Sequence, residues 1–313
     1  NQLTGRQAIR AALAELADDP AFEFLCLIDS VSGVERLADE ARAFRLDRPL
    51  QVLLEAGYPG GRAGCRSLDH ALEVARAAAL APELALVGAE AFEGLIHEAT
   101  PEASARKVEG FLDFVVEVAI ACARENLFEP GPVLLSAGGS AFFDRVAQRF
   151  RSAELSREVK IVLRSGCYLT HDSRMYRELF AALCERTPEA RDIGPGLRPA
   201  LEVWACVQSV PEPGLAIATM GKRDVSYDVD LPVPEQWFRP GLHERPQALG
   251  DGFAVTKLND QHAYLAVPDH GPLEVGDMVS FGISHPCTTF DKWQLLYLVD
   301  DDYRVVEAIR TFF

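Results

Sequence analysis

The sequence predicts an α/β protein in two parts. Residues 1–195 form a parallel sheet covered by helices, and residues 196–313 form a mostly antiparallel β domain. Three observations predict this. Apolar strand-like runs alternate with amphipathic helical runs from residue 3 to about residue 185, the signature of parallel strands joined by helical crossovers. Near Pro195-Gly196-Leu197 the period changes to short alternating runs between clusters of Pro and Gly. An apolar fraction of 48% over 313 residues supplies cores for about two domains and argues against global disorder.

The strand runs of the first part are 22–29, 50–55, 84–90, 132–136 and 159–164. Helical spacing follows each, over 31–43, 67–80, 103–124, 142–150 and 173–184. An opening helix over 4–16 implies a preceding strand, and a closed parallel barrel has eight strands where five are visible. The chain begins Asn1-Gln2-Leu3 rather than with Met, so a natural start further upstream is expected. In the second part, runs at 201–207, 215–219, 252–258, 263–267, 278–283, 295–299 and 305–309 read as strands. The acidic run Asp300-Asp301-Asp302 reads as an exposed hairpin turn, since calcium-loop spacing is absent.

A formal net charge of −16, from 47 acidic and 31 basic side chains, repels phosphate backbones and anionic lipid. Nucleic acid and membrane are therefore not expected partners. The most apolar helical stretch, 111–123, is interrupted by Asp113 and Glu117 and cannot span a bilayer. Seven cysteines, an odd number with no C-x-x-C pair, point to free thiols in a reducing cytoplasm.

Strand ends carry the candidate chemistry. Ser136-Ala137-Gly138-Gly139-Ser140 joins a strand to a helix. Its glycines allow backbone N–H groups to approach an anion, and Ser140 is placed to cap the helix. The plain alternative is a capped turn without a ligand. Arg164-Ser165-Gly166-Cys167-Tyr168 ends the next strand, so both loops flank one spot, where parallel barrels bind phosphate. The Gly-rich end at 55–66 fits neither a dinucleotide fingerprint nor a P-loop. Its Arg62 either reaches inward to a phenolate or carboxylate or is a solvated loop arginine. A lone His97 at a fourth strand end reads as a satisfied group rather than a catalyst.

The segment 284–293 follows a strand-like run at 275–282. Residues two apart on an extended chain project to one side, so His285 and Cys287 can offer a nitrogen and a thiolate to one metal ion. That pair suits zinc and leaves positions open for water or substrate. The alternative is a His and a Cys packed in a β core.

Taken in order, EAGYPGGRAGC (55–65), SAGGS (136–140), RSGCYLTHD (164–172), GKRDVSYD (221–228) and SHPCTTFDKW (284–293) resemble the fold-type III pyridoxal-phosphate enzymes. The nearest group is the D-serine dehydratase-like amino acid deaminases, with metal-dependent D-threonine aldolases as near relatives. The resemblance implies an alanine-racemase-like (β/α) barrel, here lacking its first strands, and a C-terminal β domain. It implies that Ser136, Gly138, Gly139, Ser140, Gly166, Cys167 and Tyr168 surround the phosphate of pyridoxal phosphate. Arg62 would lie near the phenolic oxygen, Arg164 near the pyridine ring, and His285 and Cys287 would be Zn2+ ligands beside the cofactor.

The family's cofactor lysine lies at the end of the first barrel strand, in a His-x-Lys-Thr-His-like stretch. None of the five lysines here, 107, 160, 222, 257 and 292, fits that position. The segment carrying it is expected upstream, and a five-stranded partial barrel is expected to need a partner for its raw edges. The implied activity is deamination of a β-hydroxy D-amino acid to a keto acid and ammonia, in a homodimeric lyase. Retro-aldol cleavage to glycine and an aldehyde is the alternative within the same machinery. A non-catalytic pyridoxal-phosphate-binding remnant is the alternative of another class.

Overall fold

The computed structural model describes residues 1–192 and 196–312. The chain packs as two compact units, Asn1–Gly166 and Cys167–Phe313. The expected boundary at 195 lies outside the described residues. Residues 167–192 belong with the β-rich unit.

The first unit runs α1 (Arg6–Asp18), β1 (Leu25–Ile28), α2 (Val31–Phe44), β2 (Leu50–Ala56), α3 (Leu68–Leu80), β3 (Leu84–Ala91), α4 (Pro101–Arg124), β4 (Val133–Ala137), α5 (Phe143–Arg151) and β5 (Val159–Leu163). All five strands are parallel and lie in sequence order. Gln2 adds one parallel bridge to Leu27 outside β1, where the opening helix had implied a strand. Helix starts follow side-chain chemistry. Ser30, Ser67 and Thr100 each accept a backbone N–H three residues on, and Pro101 opens α4. α1 buries Ile9, Leu13 and Leu16 along one stripe. Gly88 permits the close approach of β3 to β4, since any Cβ there would collide with the Leu134 carbonyl.

Register sets up a polar row within this apolar sheet. Glu55 of β2 stands opposite Glu90 of β3, and Glu90 stands opposite Ser136 of β4. Partners in register point to one face, and all three are buried.

The second unit holds α6 (Met175–Arg186), β6 (Glu202–Glu212), β7 (Leu215–Ala218), β8 (Val233–Phe238), β9 (Gln247–Ala248), β10 (Ala254–Leu258), β11 (Ala263–Ala266), β12 (Met278–Gly282), the short turn α7 (Cys287–Phe290), β13 (Leu295–Val299) and β14 (Val305–Arg310). A seven-stranded antiparallel sheet has the order β10-β11-β7-β6-β12-β8-β9, and β13 and β14 form a separate hairpin. Its core includes Val207, Ala216, Leu265, Val279 and Phe281. All seven expected strands are present. β8 was unexpected because it contains Pro234, which sits where its pairing with β12 shifts register, the place a strand tolerates proline. The run Asp300–Asp302 is the hairpin turn between β13 and β14, tied by Asp300 accepting from the Asp302 and Arg304 amides. Among the described residues no helix is long and apolar enough to cross a membrane.

Candidate functional site

In the first unit the expected anion loop and its neighbour do come together. β4 and β5 pair through Ala137 and Leu163, so their ends are adjacent. Arg164 N–H donates to the Ala137 carbonyl at 3.0 Å, and Ser165 Oγ donates to the Gly139 carbonyl at 2.8 Å. Arg164 Nε donates to Ser136 Oγ at 2.9 Å, and its guanidinium also reaches the Ala91 carbonyl and Glu90 Oε1. A Cβ on Gly138 would stand 2.9 Å from that guanidinium, and one on Gly139 would collide with Glu93 Oε1. One cation and one carboxyl thus lie against these glycines, and a side chain at either position would displace them. Gly166 has open space at its Cβ position.

Ser140 departs from expectation. α5 starts at Phe143 with Phe142 as N-cap and no side-chain cap bond, so Ser140 is not the helix cap. The reason is two further loop residues, Ala141 and Phe142, whose side chains are buried ahead of the first turn. Arg62 lies over the Phe92 ring at 4.6 Å and lines a recess with Tyr58, Ile96, His97 and Lys107. The Gly-rich loop around it is shaped by Arg66, which donates to the Gly61, Arg62 and Ala63 carbonyls.

Three carboxyls at these strand ends were not singled out from sequence. Glu93 is fully buried, and neither of its oxygens has a hydrogen-bond partner. Burial raises its pKa, against weaker pulls from its own amide, the Gly139 amide, Arg164 and the Gly138 amide. Burial likewise raises Glu90 to about 7, with Arg164 opposing and Glu55 and Glu93 adding to the rise. Glu55 is raised by burial too, although Gln2 donates to it at 2.5 Å. The parallel register made the Glu55, Glu90 and Ser136 row findable. Nothing in local spacing marks Glu93.

In the second unit, His285 and Cys287 meet through a turn, which corrects the extended-strand reading. β12 stops at Gly282, His285 has φ +60°, and Cys287 starts α7. The turn is held from behind by Asp172. Its Oδ2 accepts the His285 N–H at 3.1 Å, and its Oδ1 accepts from the Arg174 and Tyr176 amides. Ser173 N–H donates to the Ile283 carbonyl at 2.8 Å. Ser226 closes the other side, donating to the Ser284 carbonyl at 2.6 Å.

His285 Nδ1 lies 2.6 Å from Asp228 Oδ2. An ionised carboxylate only accepts, so Nδ1–H donates and the other ring nitrogen is left for a ligand. Burial lowers the His285 pKa, but Asp228 and Cys287 raise it more, and the net shift is upward. Cys287 is exposed and its pKa is brought down to about 6, first by a hydrogen bond from Cys167 and then by His285, against burial. Burial pushes Cys26 to about 11 and Cys65 and Cys122 to about 12. Cys287 is thus set apart as a thiolate donor. Among the described residues no group of three or more His, Cys, Asp or Glu is placed to hold a metal ion. Cys167 is buried in this unit, and Tyr168 is exposed. His171 is buried in left-handed backbone with Nδ1 unpartnered, and burial lowers its pKa.

Residues 200–299 match a family model described as "Putative serine dehydratase domain". A 3-hydroxy-D-aspartate aldolase of Paracoccus denitrificans is 26% identical over 285 residues. The match covers 90% of this chain and 65% of that protein, so the chain spans less than two thirds of the curated relative. Two solved structures share the fold. D-threonine aldolase from Filomicrobium marinum aligns with a TM-score of 0.72 at 22% identity, over 98% of this chain and 73% of that one. D-threo-3-hydroxyaspartate dehydratase from a Delftia species aligns with a TM-score of 0.65 at 17% identity, over 98% and 77%. That dehydratase has also been solved as a cysteine-to-alanine mutant in the metal-free form and as a histidine-to-alanine mutant, at positions two residues apart.

Proposed function

We propose that this chain, which has an alanine-racemase-like fold and resembles the D-serine dehydratase-like deaminases and metal-dependent D-threonine aldolases, serves a pyridoxal-phosphate- and zinc-dependent lyase that converts β-hydroxy D-amino acids to keto acids and ammonia. The observation that carries this reading is the Asp228, His285 and Cys287 arrangement. It offers an oriented imidazole and an exposed low-pKa thiol, the donor chemistry that zinc takes. The mutated His and Cys of the Delftia dehydratase share the two-residue spacing of His285 and Cys287, which supports it further.

In this reading Ser136, Gly138, Gly139, Ser140, Gly166, Cys167 and Tyr168 hold the cofactor phosphate. Arg164 serves the ring, Arg62 the phenolic oxygen, and His285 and Cys287 the zinc. When bound, pyridoxal phosphate supplies an electron sink for the α-carbon and zinc a Lewis acid for the β-hydroxyl. The chain's own part is positioning and charge. Glu90 and Ser136 fix the Arg164 guanidinium, so its positive charge is held at the loop without a further reorganisation cost. Asp228 sets the His285 tautomer, and Asp172 fixes the backbone on which His285 turns.

Product analysis tests the proposal. Keto acid and ammonia from D-serine or a 3-hydroxy-D-aspartate support it. Glycine and an aldehyde mean retro-aldol cleavage, a second reading favoured by the Paracoccus aldolase match. A third reading, pyridoxal-phosphate binding without turnover, is favoured by lysine placement. Lys107 lies in α4, Lys160 near the N-terminal end of β5, and Lys222, Lys257 and Lys292 in the β-rich unit. Cofactor binding with neither product would establish that reading.

A further inference from the structure

Glu93 has no role in the reading above, and its placement requires one. It is sealed from solvent, it has no hydrogen-bond donor, and it lies directly against the Gly139 backbone. Its own amide and those of Gly139 and Gly138 are near enough to pull on its charge, yet none meets hydrogen-bond geometry. The cation that acts on it is Arg164, behind Gly138, which is already engaged by Glu90. Glu90 is the other carboxyl felt in this neighbourhood, and Glu55 acts on Glu90 in turn. Arg62, from the loop after β2, is turned onto the Phe92 ring.

An anion seated on this turn would share a buried, poorly solvated space with the Glu93 carboxyl. Two negative charges there repel strongly, and burial already favours the neutral acid. We propose that Glu93 is a proton-linked gate on the 138–139 turn: an anion is held there with Glu93 protonated, and deprotonation of Glu93 expels it. The proposal rests on reading 136–140 as a phosphate cradle and adds how that cradle is regulated. Linkage fixes the sign. Anion binding raises the Glu93 pKa further, so binding takes up a proton, and affinity falls as pH rises through the unliganded value.

Inorganic sulfate is the probe, because its charge does not change near neutral pH. Calorimetric titration of the full chain in two buffers of different ionisation enthalpy counts the protons taken up. The proposal predicts uptake approaching about one proton per sulfate, with affinity falling by up to about tenfold per pH unit above the unliganded Glu93 pKa. Glu93→Gln should bind sulfate without that uptake and more tightly than the parent in alkali. Sulfate binding without proton uptake overturns the gate and leaves the cradle standing, and this parent measurement decides even where Glu93→Gln fails to fold. Uptake that persists in Glu93→Gln also overturns the gate. Failure of sulfate to bind at any pH overturns the cradle and the gate together.

Discussion

Asp228 Oδ2 stands 2.6 Å from His285 Nδ1, although the two residues are 57 positions apart in the chain. The contact holds one ring nitrogen by a carboxylate, which fixes the tautomer and raises the basicity of the other. Asp228→Ala should therefore lower zinc affinity by about 10- to 100-fold with the fold intact. Competition against a chromophoric chelator measures it. Unchanged affinity would mean that Asp228 does not support a metal ligand.

The two serines of the 136–140 turn can be tested together. Ser136 Oγ accepts from Arg164 Nε, so its loss removes one of the guanidinium's three anchors as well as a hydroxyl. Ser136→Ala combined with Ser140→Ala should weaken pyridoxal-phosphate binding by about 2 kcal/mol, about the worth of one hydrogen bond per serine, at fixed zinc content. Cofactor fluorescence titration reads the change, and an unaltered affinity removes the turn from the site.

Gly139 has a separate constraint. A methyl group there would meet Glu93 Oε1 and the Gly94 Cα, both within a buried contact. Gly139→Ala should cost about 1–3 kcal/mol of stability through overpacking, visible as a lower midpoint in urea. Wild-type stability in that variant would show that the turn shifts freely.

Glu90 gives a pH signature. Burial lifts its pKa from 4.5 to about 7, so the folded chain binds more protons than the unfolded chain between those values. Its contribution to stability is complete below pH 4.5 and is lost as pH rises through about 7. Glu90→Gln should remove up to about 1.4 kcal/mol per pH unit from the decline across that window. Urea unfolding at several pH values checks it, and an identical slope in both proteins would assign the proton elsewhere.

Sequence carried most of the fold because periodicity is local. The strand-helix alternation predicted β1 to β5 and α1 to α6, each within a few residues. β8 was hidden by Pro234, whose cost is absorbed by a register shift that only the partner strand reveals. For the site, motif order picked out both clusters, but their supporting carboxyls come from long range. Asp172 lies 113 residues from the His285 amide it accepts, and Glu90 lies 74 from Arg164. His285 and Cys287 approach each other through a turn and not along an extended strand, and the left-handed φ of His285 that makes the turn cannot be read from a His-Pro-Cys string. Glu93 sits in an ordinary strand-end sequence, and only its burial beside Gly139 marks it.

X-ray absorption at the zinc edge of the zinc-loaded protein tests the central claim most directly. A cation gripped by imidazole 285 and sulfur 287 shows a single sulfur scatterer at about 2.3 Å and an imidazole nitrogen at about 2.0 Å, with oxygen completing the shell. A shell without sulfur, or with several sulfurs, contradicts it.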